Sequence, residues 1–203
     1  MTKRVYRYFF DFLKGQEKWL NKMAGKGYRL TECGKLSYVF ETCKPSEYEY
    51  VVELVGDKTV SQVKDFNKSL LDRGYKTFSK NINVNYSVGK VKWRPWAKGW
   101  GQIATSPGTY NHELLIVERR ADGTPFRLHT NKLDILAMYR TARNMYVWGI
   151  ANFLVLLILT LFATDRLNPL ILGLQTAILL LLVLWAIPTA RLMLEIRKLK
   201  AES

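Results

Sequence analysis

The stretch "MAGKGYRL" (residues 23–30) has a counterpart in "LLDRGYKTF" (residues 70–78), and this repetition decides the fold. In both copies a helix-like segment leads into a glycine followed by a tyrosine, Gly27-Tyr28 in the first and Gly74-Tyr75 in the second. A glycine at this point is typical of a left-handed cap that ends a helix, and an aromatic residue suits the start of a strand. The sequence therefore predicts two helices that each end at a glycine and lead into a strand.

The flanking segments extend each copy into a β-α-β-β unit. The first unit comprises a strand in residues 3–12, a helix in 15–27 and a hairpin in 28–41 that turns at Gly34-Lys35. The second comprises a strand in 47–55, a helix in 60–74 and a strand or strand pair in 75–88. Residues 111–130 predict a further strand at 114–119, a turn at Asp122-Gly123 and another strand through Leu128. Two such units in tandem predict an α+β, ferredoxin-like domain over residues 1–130, with helices on one face of an antiparallel sheet.

Two segments near the C-terminal end predict a transmembrane helical hairpin. Residues 145–163 and 169–190 contain no charged residue, and about 20 apolar residues are enough to cross a bilayer core of roughly 30 Å. The alternative, a hairpin buried in a soluble core, is disfavoured because the preceding domain is too small to cover two helices that are apolar on all faces. The predicted divisions are a juxtamembrane helix at 131–145, spans at 146–164 and 169–190, and a basic tail at 191–203. Whether Pro188 kinks or ends the second span is left open.

The distribution of basic residues predicts the orientation of this hairpin. The connecting loop holds only Arg166 beside Asp165, whereas the outer flanks carry Lys132, Arg140, Arg143, Arg191, Arg197, Lys198 and Lys200. The positive-inside rule then places both termini in the cytoplasm, with the spans in the inner (plasma) membrane. Asn152 and Gln175 are expected to form hydrogen bonds between helices rather than a transport path. Homo-oligomerisation through these helices is left open.

The net charge of +14 predicts a negatively charged partner, namely phospholipid, nucleic acid or a phosphorylated ligand. Residues 1–145 hold 26 Lys and Arg against 14 Asp and Glu, so the excess lies outside the spans. The two histidines are too scattered to predict a metal site, and no cofactor is expected. Cys33 and Cys43 lie in one predicted hairpin, where a disulfide is geometrically feasible, but free thiols are favoured in a reducing cytosol.

The basic-aromatic segment, "VGKVKWRPWAKGWGQIATSPGTYN" (residues 88–111), is the strongest candidate site. It lies within 40 residues, 73–112, that contain no carboxylate. In a strand Val91 and Trp93 would share one face and belong to the core, but Trp96 and Trp100 follow Pro95, where strand alternation has ended. The candidate ligand- or headgroup-binding residues are Lys90, Lys92, Arg94, Trp96, Lys98, Trp100, Thr105, Ser106, Tyr110 and Asn111.

Several occupants of this segment remain open. Tryptophan and lysine suit lipid headgroups of the inner leaflet, and the hydroxyls and amides of "TSPGTYN" suit an anionic small ligand. A protein partner fits the same surface, whereas nucleic acid is less favoured for a domain tied to a membrane. No catalytic residue is assigned. The alternative is an enzyme of envelope-lipid or drug-response metabolism using Ser106, His112 and Glu113, although no nucleophile elbow frames the serine.

The string W-L-N-x-M-A-x-K-G-Y at 19–28, followed by "YVFETCKPSEYEYVVEL" and the basic-aromatic segment, resembles a bacterial family, domain of unknown function 2812 (DUF2812). The resemblance covers residues 3 to about 130. It implies a Firmicute protein with C-terminal membrane spans, often found beside regulators of the PadR type, and it implies no known activity. Together the residues and the resemblance predict a membrane-anchored cytoplasmic sensor or binding module without catalytic activity, with a regulatory link to a PadR-type repressor.

Overall fold

The computed structural model describes residues 1–56, 58–82, 86–88, 91–93, 103–104, 113–129, 131–162 and 168–201. The chain forms two compact units, Met1–Thr130 and Asn131–Ser203. The first unit mixes strands and helices, and the second consists of two long apolar helices. The fold is therefore of the α+β class, as the sequence predicts.

The first half of Met1–Thr130 is a β-α-β-β unit. It contains β1 (Thr2–Tyr6), α1 (Lys14–Gly25), β2 (Tyr28–Cys33) and β3 (Ser37–Thr42). β3 pairs antiparallel with both neighbours, which gives the order β1-β3-β2. The predicted hairpin of β2 and β3 is confirmed.

The second half repeats this arrangement with one long interruption. It contains β4 (Tyr48–Leu54), α2 (Val60–Asp72), β5 (Lys76–Lys80) and, much later, β9 (Leu114–Arg120). β9 lies between β4 and β5 and pairs antiparallel with both, so the order β4-β9-β5 matches β1-β3-β2. The tandem repeat is thus present, with one three-stranded sheet in each half. The finer ferredoxin-like topology stays a prediction.

Residues 81–113, here called the insertion, separate the last two strands of the second half. Besides residues 81, 82 and 113, the structure describes β6 (Tyr86–Val88), β7 (Val91–Trp93) and β8 (Ile103–Ala104) of the insertion, which form a separate antiparallel sheet in the order β6-β7-β8. The corresponding connection in the first half, between β2 and β3, is only residues 34–36. The basic-aromatic segment lies wholly within the insertion.

The strand predicted through Leu128 is wrong. After β9 the chain turns as expected, with Gly123 at φ +81° and the Thr124 amide donating to Asp122 Oδ1 over 2.9 Å, but residues 124–129 form no strand. The physical reason is that β9 is already paired on both edges, so no edge remains for a following strand, and Pro125 lacks a ladder donor. Phe126 and Leu128 instead pack against a buried cluster of Val55, Leu70, Leu115 and Val117.

Both predicted glycine caps are confirmed. Gly27 and Gly74 each have φ +78°, in the left-handed region that glycine adopts without a steric cost. Gly27 is the more tightly packed of the two, since a Cβ there would lie 2.8 Å from the Cys43 carbonyl oxygen, whereas no atom of the described residues lies within 4 Å of a Cβ at Gly74. The two caps therefore share a backbone conformation but not a packing environment.

The second unit contains α3 (Lys132–Leu161) and α4 (Pro169–Ala201). Both are long and apolar enough to cross a membrane, and only 17% and 6% of their most apolar windows are buried. α4 continues through Pro188, which therefore does not end it. These features are compatible with membrane association.

The two helices pack against each other around Trp185. Its ring lies against Tyr146 and Phe153, with centroids 5.6 and 5.7 Å away, and occupies the space that a side chain at Gly149 would need. Gln175 Nε2 donates across the pair to the Thr160 carbonyl over 3.3 Å, as predicted. The matching prediction for Asn152 is wrong, because its amide donates to Trp148 O one turn back in its own helix. Donation to a carbonyl four residues back satisfies the amide without a partner helix.

Candidate functional site

The structure places one predicted site residue, Lys92, in the middle strand of the insertion sheet, opposite Ser87 on β6 and Ala104 on β8. Val91 and Trp93, expected to be structural, are the other residues of this strand. The other predicted site residues lie outside the described part of the chain, and they are Lys90, Arg94, Trp96, Lys98, Trp100, Thr105, Ser106, Tyr110 and Asn111. His112, which the enzyme alternative uses together with Ser106, also lies outside it.

The base of the insertion is held together by Glu113. Its side chain is fully buried, and Oε2 accepts a hydrogen bond of 2.9 Å from the amide of Ile82, the second residue of the insertion. Its carbonyl oxygen accepts from the Val55 amide over 2.8 Å, beyond the end of β4. Glu113 therefore joins the two ends of the insertion to each other and to the second sheet. This is a structural task for a residue that the enzyme alternative treats as catalytic.

A pocket lies where the insertion leaves the sheet, and we call it the base pocket. The floor is formed by buried side chains, namely Phe12, Gln16, Lys80, Ile82 and Leu114. The rim is formed by exposed side chains, namely Arg7, Tyr8, Lys35 and Leu36, and Phe9 and Asn81 also line the pocket. The pocket is shallow and partly open to solvent, with enclosed space for about one water molecule. Residues of the first half and of the second half meet in it.

Lys80 is a buried cation on the floor of the base pocket. Only 6% of the residue is exposed, and its Nζ donates to the carbonyl oxygens of Gly34 and Lys35 over 2.9 and 2.6 Å. The ammonium also lies 4.5 Å from the centre of the Tyr38 ring. Within the described ranges no carboxylate forms an ion pair with it. Burial lowers its pKa, because removal from water penalises the charged form.

Gln16 is the second unusual group of the floor. The residue is fully buried on α1, and neither its Nε2 nor its Oε1 has a hydrogen-bond partner among the residues that the structure describes. Most buried polar side-chain atoms are hydrogen-bonded, and leaving one unpaired costs about 1–3 kcal/mol. Gln16 thus keeps a buried donor and a buried acceptor without a partner among the described residues, at a cost to the stability of the fold.

The thiol nearest this region is unreactive. Burial raises the pKa of Cys33 to about 11, against an opposing effect of the Lys80 charge, so the thiol stays protonated at neutral pH. Both Cys33 and Cys43 are free in this structure. No group of three or more His, Cys, Asp or Glu that could hold a metal occurs within the described ranges.

A buried network of charges joins the two halves away from the pocket. Glu118 on β9 is 2% exposed in its side chain and accepts from Arg29 Nη2 over 2.8 Å through Oε1. Its Oε2 accepts from the Tyr50 hydroxyl over 2.8 Å, and that hydroxyl in turn accepts from the Leu30 amide over 2.8 Å. Both carboxylate oxygens of Glu118 and the Tyr50 hydroxyl are thus paired within the protein. The network is therefore structural and offers nothing to a ligand.

Sequence reasoning did not single out Gln16 or Lys80, although each carries a readable signal. Gln16 precedes Leu20 and Met23 at helical spacing, which places its side chain on the buried face of α1. Lys80 follows Phe78 by two residues in β5, so strand alternation places both side chains on the same, buried face. In both cases a polar residue occupies a position where the periodicity of the element predicts an apolar one, and such residues can be taken as functional candidates.

Comparison with known proteins agrees with the resemblance drawn from the sequence. The family model described as "Protein of unknown function (DUF2812)" matches residues 12–151. No curated protein and no solved structure matches the chain. The match includes α1, α2 and the strands from β2 to β9 with the insertion, and it continues into α3.

Proposed function

This chain belongs to the DUF2812 family, and we propose that it is a membrane-anchored, non-catalytic binding module whose insertion recognises anionic lipid headgroups at the inner face of the plasma membrane. In this proposal α3 and α4 span the membrane and both termini are cytoplasmic. The unit Met1–Thr130 is then the cytoplasmic domain.

The observation that carries the proposal is that the sheets are complete without the insertion. Three residues suffice to join β2 to β3, whereas 81–113 joins β5 to β9 in the equivalent place and forms a sheet of its own. Connections of this length inside a compact domain are uncommon and are usually functional. A segment that the core does not need, and that Glu113 nevertheless anchors at its base, is suited to binding.

The composition of the insertion favours an anionic surface as the partner. It carries Lys90, Lys92, Arg94 and Lys98 without a carboxylate before Glu113, and Trp96 and Trp100 lie among these cations. Each basic residue close to an anionic leaflet contributes about 1 kcal/mol, and tryptophan favours the headgroup level. Four such residues contribute about 4 kcal/mol, which corresponds to roughly a thousandfold in affinity.

Other occupants serve as outcomes of the test. A protein partner, including a PadR-type repressor, would protect the insertion whatever the lipid. The enzyme alternative would use Glu113 as a catalytic carboxylate, but this carboxylate accepts a hydrogen bond from the Ile82 amide at the base of the insertion. Neither alternative requires an anionic bilayer.

The experiment compares the full chain in nanodiscs of phosphatidylglycerol and of phosphatidylcholine by hydrogen exchange of the insertion amides. We expect stronger protection of residues 88–111 in phosphatidylglycerol, and its loss at 0.5 M salt, where screening is nearly complete within about 4 Å. The double substitution Lys90→Gln and Lys98→Gln should reduce this protection about thirtyfold, since it removes about 2 kcal/mol.

The matched control is Lys64→Gln with Lys68→Gln, which removes the same charge from the exposed face of α2. It should leave the protection unchanged. Equal protection in both lipids, or equal effects of the two charge removals, would refute headgroup recognition by the insertion.

A further inference from the structure

We propose that the free edge of β1 is a docking site for an acidic, extended segment of a partner protein, which adds to the first sheet as a further strand. β1 lies at one end of the order β1-β3-β2, and among the described strands it pairs only with β3. The basic-aromatic segment takes no part in this edge, so the proposal does not rest on lipid recognition by the insertion.

The backbone groups on the outer edge of β1 follow from its pairing with β3. The Arg7 amide donates to the Leu36 carbonyl over 2.8 Å and therefore points towards β3. In an antiparallel ladder the amide and carbonyl of one residue point to the same side, and successive residues alternate. Val5 thus bonds inward like Arg7, whereas Arg4 and Tyr6 direct their backbone groups outward. Within the described ranges no group of the protein bonds to these outward groups.

The second half of the domain shows how the equivalent edge is covered. β4 is the counterpart of β1, and the outward backbone groups of Tyr50 bond to the side chain of Asn21 on α1. Glu17 of the same helix accepts from the Val52 amide. α2 is the counterpart of α1, but its described side chains form no hydrogen bond with β1. The repeat therefore covers one of two equivalent edges and leaves the other exposed.

Aromatic side chains along the same edge enlarge the exposed surface. Tyr6, Tyr8 and Phe10 occupy alternate positions and are 71%, 46% and 39% exposed. The rings of Tyr8 and Phe10 contact each other edge to face, with centroids 5.0 Å apart. Tyrosine is enriched at protein interfaces, because its ring buries a large area while its hydroxyl keeps a hydrogen bond. When a peptide adds to a sheet edge, backbone hydrogen bonds provide affinity and side chains at alternate positions provide specificity.

The charge of the edge selects an acidic partner. Residues 1–10 contain no carboxylate, and Lys3, Arg4 and Arg7 are all exposed. Such charges prevent pairing between like edges. A second copy of β1, added antiparallel in the central register, would place Arg4 opposite Arg4, which is destabilising. An acidic strand is attracted by the same charges. An anionic bilayer would also be attracted, but it would leave the outward amides without ladder partners.

The test measures binding of a short peptide of alternating glutamate and valine to the full chain in phosphatidylcholine nanodiscs at neutral pH. Two control peptides carry lysine in place of glutamate, or methyl groups on every backbone nitrogen. We expect saturable binding of the acidic peptide, at least tenfold tighter than that of either control. Hydrogen exchange should slow at the amides of Arg4 and Tyr6 and stay unchanged at Val5, whose amide already bonds to β3.

Variants of the chain separate the backbone from the side chains. Tyr6→Ala and Tyr6→Pro both remove the ring, but only proline removes the outward amide, and proline is tolerated at an edge where its nitrogen faces outward. Tyr6→Pro should weaken the acidic peptide about fivefold more than Tyr6→Ala, the loss expected for one hydrogen bond. The methylated peptide tests the same ladder on the wild-type chain, should Tyr6→Pro fail to fold.

Charge removal has a matched control on α2. Arg4→Gln with Arg7→Gln should weaken the acidic peptide about tenfold, since it removes two charges beside the bound strand. Lys64→Gln with Lys68→Gln removes the same charge from the exposed face of α2 and should leave binding unchanged.

Several results would overturn the proposal. Absence of saturable binding, or equal binding of the acidic and lysine peptides, would mean that the edge does not select an acidic strand. Binding that survives methylation would mean that the contact is not strand addition. A concentration-dependent dimer that Tyr6→Pro abolishes would make a second copy the occupant. Slower exchange at Arg4 and Tyr6 in phosphatidylglycerol nanodiscs without peptide would make the membrane the occupant.

Discussion

Asn21 of the W-L-N string is a partly buried helix residue whose replacement should clearly destabilise this protein. Its Nδ2 donates to the Tyr50 carbonyl over 2.7 Å, and its Oδ1 accepts from the Tyr50 amide over 2.9 Å. Tyr50 lies on β4, which is an edge strand among the strands that the structure describes, and its outer backbone groups face α1. The side chain of Asn21 therefore substitutes for a ladder pair at that edge.

The magnitude follows from these two hydrogen bonds. Each contributes about 0.5–1.5 kcal/mol, and removal of the partner leaves buried backbone groups unpaired, so Asn21→Ala should cost about 2–3 kcal/mol. For a domain of this size that corresponds to a decrease in Tm of roughly 6–12 °C. In Asn21→Ala the hydrogen bond from the Val52 amide to Glu17 Oε2, 3.1 Å long, would remain as the link from α1 to the edge of β4.

Asn67→Ala is the matched control. Asn67 lies on α2 and accepts one hydrogen bond of 2.6 Å from the Thr77 hydroxyl, so the same substitution removes a bond that water can replace. Both changes gain the same helix propensity of alanine over asparagine, which therefore cancels in the comparison. We expect Asn67→Ala to cost about 1 kcal/mol or less.

The assay is thermal unfolding of the full chain combined with hydrogen exchange of residues 48–54. Asn21→Ala should accelerate exchange at Tyr50 more than at Val52, because Glu17 remains at the latter. If Asn21→Ala is no more destabilising than Asn67→Ala, or if exchange at Tyr50 does not change, then the edge of β4 is not protected by α1 and the reasoning is wrong.

Three further predictions use pairs within the chain or a titration. Gly27→Ala should lower the free energy of unfolding clearly more than Gly74→Ala. Both substitutions place alanine in the left-handed region at a cost of about 1–2 kcal/mol, but only the first also places a Cβ 2.8 Å from a carbonyl oxygen. Equal losses of unfolding free energy in chemical denaturation would contradict this. Gly149→Ala should separate α3 from α4, because its methyl group would overlap the ring of Trp185, whereas a methyl group at Gly173 meets no described atom within 4 Å; energy transfer between labels on the two helices measures the difference. Burial lowers the pKa of Lys80 in the folded state below its unfolded value near 10.5. Between these two pKa values the unfolded chain binds more protons than the folded chain, so the free energy of unfolding should rise with pH in that window. Lys80→Met should abolish this rise, and an unchanged difference between wild type and variant across the titration would refute it.

The repeat could be predicted from the sequence because its signals are local. A glycine that needs φ near +78° and the tyrosine after it lie within one turn of chain, and both copies carry them. The partner of β5 could not be predicted in the same way. β9 is separated from it by the insertion, and strand-like patterns immediately after β5 belong to the separate sheet of β6, β7 and β8. Pairing across 33 residues is decided by which edge is free, which a single sequence does not state.

The candidate site was predicted in part. Composition alone marks the basic-aromatic segment as unusual, since a charge-rich run without carboxylates is visible without a fold. The base pocket is different, because Arg7, Gln16 and Lys80 come from a strand end, a helix and a strand far apart in the sequence. Each taken alone is an ordinary polar residue of an amphipathic element. Only the packing shows that two of them are buried together.

The links between the two halves explain why such a pocket exists. Asn21 of the first half covers Tyr50 of the second, Arg29 of the first pairs with Glu118 of the second, and Lys80 of the second donates to carbonyls in the first. Two of these links are fully satisfied within the protein and serve stability. The third leaves a buried charge without a counter-charge in the described ranges, where a methionine would cost less to bury. This junction therefore keeps a cation at a cost to stability, beside a buried amide whose two polar atoms have no partner among the described residues.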